Sequence, residues 1–135
     1  MAPDLPGYYF RVRENGAVVF RVTTENRQRR IELDEIASVN VKNGNVKAHG
    51  EVVLSPADQA AIADWLAARG ALLAARDVDD ILRTVDHLNL TAQWAQTRAG
   101  EDQLDAVTDA LLLAMHDLRV VLVRRKSERV GTAAD

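Results

Sequence analysis

The segment from Ala110 to Val123 constrains the fold most, because it carries apolar side chains on two sides of a predicted helix. One stripe on a 3.6-residue helix runs through this segment and the turns before it, and consists of Leu104, Val107, Leu111, Met115, Leu118 and Leu122. A second stripe repeats every seven residues on roughly the opposite side, at Ala106, Leu113 and Val120. Since a surface helix needs a single apolar face, we expect this helix to be covered from two directions.

A preceding helix shows the same surplus of apolar side chains. One of its stripes lasts about five turns and consists of Val78, Ile81, Leu82, Val85, Leu88, Ala92 and Ala95, whereas Leu90 and Trp94 lie on the far side. We expect a homodimer that pairs two such helical hairpins into a four-helix bundle, with its interface at Leu90, Trp94, Leu113 and Val120. The alternative is that the sheet and the first helix of the same chain cover the surplus.

Composition describes an ordinary globular chain, which we expect to form a single domain over residues 1–135. The formal charge of −3 gives no global attraction to nucleic acid or anionic lipid. The absence of cysteine excludes disulfides and thiolate chemistry. The start of the chain lacks a secretory signal pattern, and the longest apolar run is interrupted by charges, so we expect a cytoplasmic protein without a membrane span.

Two Asn-Gly pairs predict two β-hairpins in the first third of the chain. At Asn15-Gly16, a two-residue loop would pair Val12 with Val19 and turn Arg21 toward the buried side. We therefore predict a three-residue loop with a left-handed Gly16, which pairs Val12 with Val18.

The second hairpin is predicted around Asn43-Gly44, with a two-residue loop that pairs Val41 with Val46 and Val39 with Ala48. Residues 31–33 alternate like a short strand, and residues 34–37 are expected to turn the chain. Residues 8–54 are thus predicted to form an antiparallel β-meander of four or five strands with one solvated face.

Residues 55–128 are predicted to be helical, with about three helices. Ser55 and Pro56 begin the first helix as cap and first residue. Gly70 is expected to break or kink it, and the aspartates at 77, 79 and 80 suggest a new helix start. Gly100 separates the last two helices, which makes them antiparallel neighbours in a helical hairpin. The predicted fold class is therefore α+β.

Few residues of the sequence are candidates for catalysis or metal binding. His87 and His116 are expected within about one turn of each other on the two arms of the hairpin, but neither arm has ligand-type residues at metal spacing. The clustered aspartates lack the spacing of a calcium loop. We find no catalytic motif or phosphate-binding loop. We therefore predict no catalytic residues, metal or cofactor, and interpret the histidines as surface or dimer-interface residues.

The most suggestive polar surface lies on the predicted sheet, on the face opposite Phe10 and Phe20. It consists of Tyr9, Arg11, Arg13 and Arg21, with Tyr9 directly opposite Arg21, and Arg27, Arg29 and Arg30 follow in the connector. An aromatic ring among arginines resembles in chemistry a single-strand nucleic-acid platform. The simpler interpretation is a solvated strand face whose charges protect the sheet edge.

The sequence thus predicts a small non-enzymatic binding or adaptor protein that self-associates through its C-terminal helices. The alternative is nucleic-acid binding through the arginine-bearing sheet face, which an acidic protein partner would also fit. An enzyme that uses His87 and His116 requires both imidazoles in one buried pocket.

Overall fold

The computed structural model describes residues 5–24 and 30–134 of the chain, with side chains through residue 131. Within these residues four strands precede two helices, so the predicted α+β class is confirmed. The elements are β1 (Tyr8–Arg13), β2 (Gly16–Thr23), β3 (Glu32–Asn40), β4 (Val46–Ala48), α1 (Pro56–Thr97) and α2 (Glu101–Ala134). The strands form one antiparallel sheet in the order β1-β2-β3-β4, which confirms the β-meander.

The first hairpin has a register one residue away from the predicted one. Val12 pairs with Ala17 and Tyr8 with Arg21, across a two-residue loop of Glu14 and Asn15. Because a one-residue shift exchanges the two faces of a strand, Arg21 lies on the same face as Tyr8, and the prediction of Tyr9 opposite Arg21 is wrong.

Gly16 is also not the left-handed residue of a bulge, since it lies inside β2 opposite Arg13 and Asn40. Its role is steric. A Cβ atom at Gly16 would lie 1.8 Å from the carbonyl oxygen of Val39, so any side chain would push β3 away from β2.

The second hairpin has a longer loop than predicted, but its faces agree with the prediction. Val39 pairs with Val46 across residues 40–45, and Gly44 takes the positive φ of 74°. The shift is two residues, so the apolar side chains keep their face. The turn predicted at residues 34–37 is wrong: these residues belong to β3, where Ile36 is the extra residue of a β-bulge opposite Val19 and Phe20.

The apolar core lies between one face of the sheet and the first turns of α1. Its buried members are Ala17, Val19, Ile36, Ala37, Val39 and Ile62. Phe10 of β1 stacks on Trp65 of α1 with ring centroids 4.8 Å apart and planes 2° from parallel. This contact fixes α1 over the strand face that also carries Tyr8 and Arg21.

α1 is one continuous helix of 42 residues, so two helices replace the predicted three. Gly70 lies within it without a break, and residues 77–80 are mid-helix rather than a helix start. Alanine and leucine on both sides of Gly70 have high helix propensity, and a single glycine costs only about 1 kcal/mol. The chain forms two compact units, residues 1–80 and 81–135, with their boundary inside α1.

A three-residue connection, residues 98–100, joins the two helices as predicted. Gly100 donates its N–H to the side-chain oxygen of Gln103 at 2.9 Å, and its carbonyl accepts from the N–H of Leu104 at 3.0 Å. The first turn of α2 is therefore capped, and Glu101 and Asp102 add favourable negative charge there.

Candidate interaction surfaces

Asp58 is the one buried charged side chain among the described residues, and it connects β1, β2 and the start of α1. Its Oδ1 atom accepts hydrogen bonds from the hydroxyl of Tyr8 at 2.6 Å and from Nε of Arg21 at 3.2 Å. Its Oδ2 atom accepts from Nη2 of Arg21 and from the N–H of Ser55, the latter at 2.9 Å. Every lone-pair direction of the buried carboxylate is thus engaged.

Ser55 and Asp58 also cap α1 reciprocally. The N–H of Asp58 donates to Oγ of Ser55 at 3.1 Å, while the Asp58 carboxylate accepts from the N–H of Ser55. This is a capping box with aspartate at the third helical position, and it confirms the predicted helix start.

The charges around Asp58 shift the pKa values of two acids in opposite directions. The Arg21 guanidinium holds the pKa of the Asp58 carboxyl well below its ordinary value, and the Tyr8 and Ser55 hydrogen bonds add to this against the effect of burial. The hydrogen bond to the same carboxylate raises the pKa of the Tyr8 hydroxyl. Asp58 therefore stays ionised and Tyr8 stays a donor at neutral pH. The cluster is suited to fixing the sheet against the helix.

The sheet face predicted to bind a partner loses one of its four members. Tyr9 and Arg11 are on one face, and Arg13 follows in the same alternation, but Arg21 is on the opposite face with Asp58. Arg27 and Arg29 lie outside the described residues. Whether the remaining three side chains bind a partner stays a prediction.

Phe20 lies on this face with Tyr9, whereas the predicted register placed it on the opposite face with Phe10. It pairs with Tyr9, the two ring centroids are 6.0 Å apart, and the guanidinium carbon of Arg11 lies 4.6 Å from the Phe20 centroid. Phe20 is buried by these neighbours, whereas Tyr9 is 45% exposed. Arg11 therefore lies over the Phe20 ring, and of these two rings Tyr9 is the one exposed for stacking.

The histidines do not form a common site. His87 borders a cleft on the hairpin, His116 does not, and both side chains are exposed. The third histidine, His49, has its Nδ1 atom 2.6 Å from Oε2 of Glu35. Within the described residues no three histidine or carboxylate side chains are grouped as a metal site.

The helical hairpin, residues 81–131, contains no buried residue among those described. Its six half-buried residues all lie near the turn: Thr91, Trp94, Ala99, Leu104, Val107 and Leu111. Beyond Leu111 every side chain of α2 through residue 131 is exposed, including Leu113 at 68% and Val120 at 49%. The predicted interface residue Leu90 is 62% exposed.

An open cleft of about 720 Å³ lies between the two arms of the hairpin near the turn. Leu90 and Trp94 of α1 line it together with Ala106 and Ala110 of α2. The two α1 residues predicted to point away from the neighbouring helix thus border the space between the arms.

The long apolar stripe of α1 is more exposed than the sequence suggested. Ile81, Leu82 and Val85 are 47–64% exposed, so α2 does not cover this part of the stripe. The spacing of apolar residues along α1 does not determine how the helix is rotated about its axis relative to α2. The hairpin therefore exposes apolar side chains on the face of α1 that carries Ile81, Leu82 and Val85, as well as along the cleft.

Neither helix, over the described residues, includes a segment apolar enough to cross a lipid bilayer. Comparison with protein-family models, with curated proteins and with solved structures finds no match to this chain.

Proposed function

We propose that this chain is a non-enzymatic binding or adaptor protein that assembles with a second copy through its helical hairpin. The observation that carries the proposal is that no described residue in the segment 81–131 is buried, although it contains fourteen exposed large apolar side chains. These are Ile81, Leu82, Val85, Leu88, Leu90, Leu112, Leu113, Met115, Leu118, Val120, Val121, Leu122, Val123 and Val130.

The apolar area of this segment is sufficient for a stable interface. Full burial of one such side chain contributes about 1.5–3 kcal/mol at roughly 25 cal/mol per Å², so a half-exposed one still presents roughly 30–60 Å². Fourteen of them present roughly 400–850 Å², compared with about 800 Å² per partner, somewhat over half of it apolar, in a standard interface.

The spacing of the exposed side chains favours another helix as the covering element. Along α1, the positions Ile81, Val85, Leu88, Ala92 and Ala95 alternate four and three residues apart. This is the heptad spacing at which helices pack side by side in coiled coils and four-helix bundles. A second hairpin supplies helices of matching length and spacing.

Helix stability supports the same conclusion. Isolated helices are marginal in water, and most of their stability in proteins comes from packing an apolar face. The described hairpin has half-buried contacts only between residues 91 and 111, so most of its length has no packing of its own. A second copy supplies that packing.

Sedimentation equilibrium of the purified protein tests the proposal. We expect a dimer at micromolar concentration, and a shift toward monomer in Leu113→Lys and Val120→Lys. Each change places a charge at an exposed apolar position, so the interface would have to bury an unpaired ammonium group. Gln93→Lys is the matched control, since it adds the same charge at an exposed polar position of the hairpin and is expected to leave the dimer intact.

A monomer at about 100 µM, a concentration at which even weak complexes form, would rule out self-association. The sheet face with Tyr9, Arg11 and Arg13 is then the remaining surface for a partner, either an acidic protein or a nucleic acid. A cytoplasmic location, as the sequence predicts, belongs to the proposal as well.

A further inference from the structure

The charges of α2 are separated along its length. Its first half carries five carboxylates and no lysine or arginine: Glu101, Asp102, Asp105, Asp109 and Asp117. Its second half carries five cations and one carboxylate: Arg119, Arg124, Arg125, Lys126, Arg129 and Glu128. Each half therefore has a strong net charge, of −5 and +4 respectively.

The helix dipole accounts for only part of this separation. Its effect is confined to about the first and last turn of a helix, and the helix extends from Glu101 to Ala134. Asp109, Asp117 and Arg119 are all about two turns or more from either end. Pairing within the helix also leaves the cations largely accessible, since Arg125 contacts Glu128 at 3.5 Å in an exposed pair that contributes little.

We infer that two copies associate with their α2 helices antiparallel, so that the acidic half of each lies beside the basic half of its partner. This rests on the proposed self-association and adds its geometry. A parallel pair would instead place like charges together along both halves, which is unfavourable in an interface.

The exposed apolar side chains fit the same arrangement. Leu113 and Val120 are equidistant from the peptide bond between His116 and Asp117. A two-fold axis at that bond places Leu113 against the partner's Val120, in both directions, as a symmetric dimer requires. The same register places Asp109 beside the partner's Arg124 and brings His116 next to the axis.

Introduced thiols test the orientation, because the chain has no cysteine of its own. The purified variants Leu113→Cys and Val120→Cys are treated with a short thiol-specific cross-linker, separately and as an equimolar mixture. We expect the mixture to form a mixed cross-linked dimer at least about tenfold faster than either variant alone, since effective concentration rises steeply when two sites are adjacent. Gln93→Cys is the control for random collision.

Charge reversal provides a second measurement. Arg124→Glu is expected to weaken the dimer at least about tenfold, since its attraction to the partner's Asp109 becomes repulsion at two symmetric positions. Mixing it with Asp109→Lys is expected to restore association. Added salt should weaken the natural dimer, because it screens attraction.

The outcomes separate the two proposals. A natural protein that is monomeric throughout overturns self-association and the antiparallel geometry together. A dimer whose Leu113→Cys copies cross-link to one another, and which salt strengthens, retains self-association and overturns only the antiparallel arrangement.

Discussion

Arg21 of β2 and Asp58 of α1 are 37 residues apart in the sequence, and the guanidinium of Arg21 donates two hydrogen bonds to the buried carboxylate of Asp58. The same carboxylate accepts from Tyr8 and caps α1 through Ser55. One side chain therefore connects two strands and a helix start.

Asp58→Asn is expected to lower the free energy of unfolding at pH 7 by about 2–3 kcal/mol. The charged hydrogen bonds are lost, and the guanidinium of Arg21 no longer has its carboxylate partner. Urea denaturation followed by circular dichroism measures the difference. Asp64→Asn, at an exposed position of the same helix, is the control and should change stability by less than about 0.5 kcal/mol. Equal effects of the two substitutions would contradict the role assigned to Asp58.

The decrease in the free energy of unfolding at acidic pH should depend on the same carboxylate, that of Asp58. The pKa of Asp58 is lowered in the folded state, so the unfolded chain binds the proton more tightly and folding loses this contribution as the pH falls. The loss begins near the ordinary aspartate pKa of 3.8 and continues below it. We expect the stability difference between the natural protein and Asp58→Asn to be constant from pH 5 to 7 and to shrink below about pH 4. A difference that does not change with pH would show that the ion pair is not its source.

Gly16→Ala should destabilise the sheet by about 3 kcal/mol, because the new methyl group collides with the backbone of β3. Gly70→Ala is the opposite case, since no atom lies within 4 Å of a Cβ there and the residue is within α1. It should stabilise by about 0.5–1 kcal/mol. Thermal denaturation of both variants, compared with the natural protein, tests the pair. A neutral Gly16→Ala would mean that β2 and β3 are farther apart than described.

The hairpin should melt in a concentration-dependent way. Assembly that occurs in the folded state alone raises the midpoint of unfolding as protein concentration rises. Circular dichroism at 222 nm, at about 2 and 200 µM, should show a higher midpoint at the higher concentration, since roughly a hundredfold increase contributes about 2.7 kcal/mol by mass action. A midpoint that does not move with concentration would leave the exposed apolar side chains without a self-association role.

The sheet face should show no strong affinity for single-stranded nucleic acid. It offers the open ring of Tyr9, Arg13, and an Arg11 already stacked on Phe20, and the net charge of the chain is −3. Fluorescence anisotropy with short RNA and DNA at low salt, where phosphate contacts are strongest, is the measurement. Binding that disappears in Arg11→Gln/Arg13→Gln would instead establish the nucleic-acid hypothesis.

The two hairpins show what the sequence determines and what it does not. Asn-Gly pairs and alternation located both hairpins, and the second kept its faces because the predicted register differed by two residues. The first differed by one, which exchanged the faces of Phe20 and Arg21. A register with Arg21 on the buried side is unfavourable unless a carboxylate meets the guanidinium there. That carboxylate, Asp58, lies on a distant helix, and local sequence patterns do not reveal it.

The helices show the same limit. Their apolar stripes predicted more apolar side chains than the contact between the two helices can cover. Leu113 and Val120 are exposed in the structure. The spacing of apolar residues did not determine which side of α1 meets α2, since both sides carry apolar residues. The rotation that brings Trp94 to the cleft follows from packing near the turn.

The long-range ion pair of Asp58 also bears on how the first hairpin avoids misfolding. A hairpin that closes one residue out of place would carry Arg21 to the wrong side of the sheet. The carboxylate of Asp58 would then be enclosed without its cation, at a cost of several kcal/mol. Docking of α1 therefore disfavours mispaired strands and favours the correct register. The residue that distinguishes the two registers is Asp58, which is synthesised after both strands are complete.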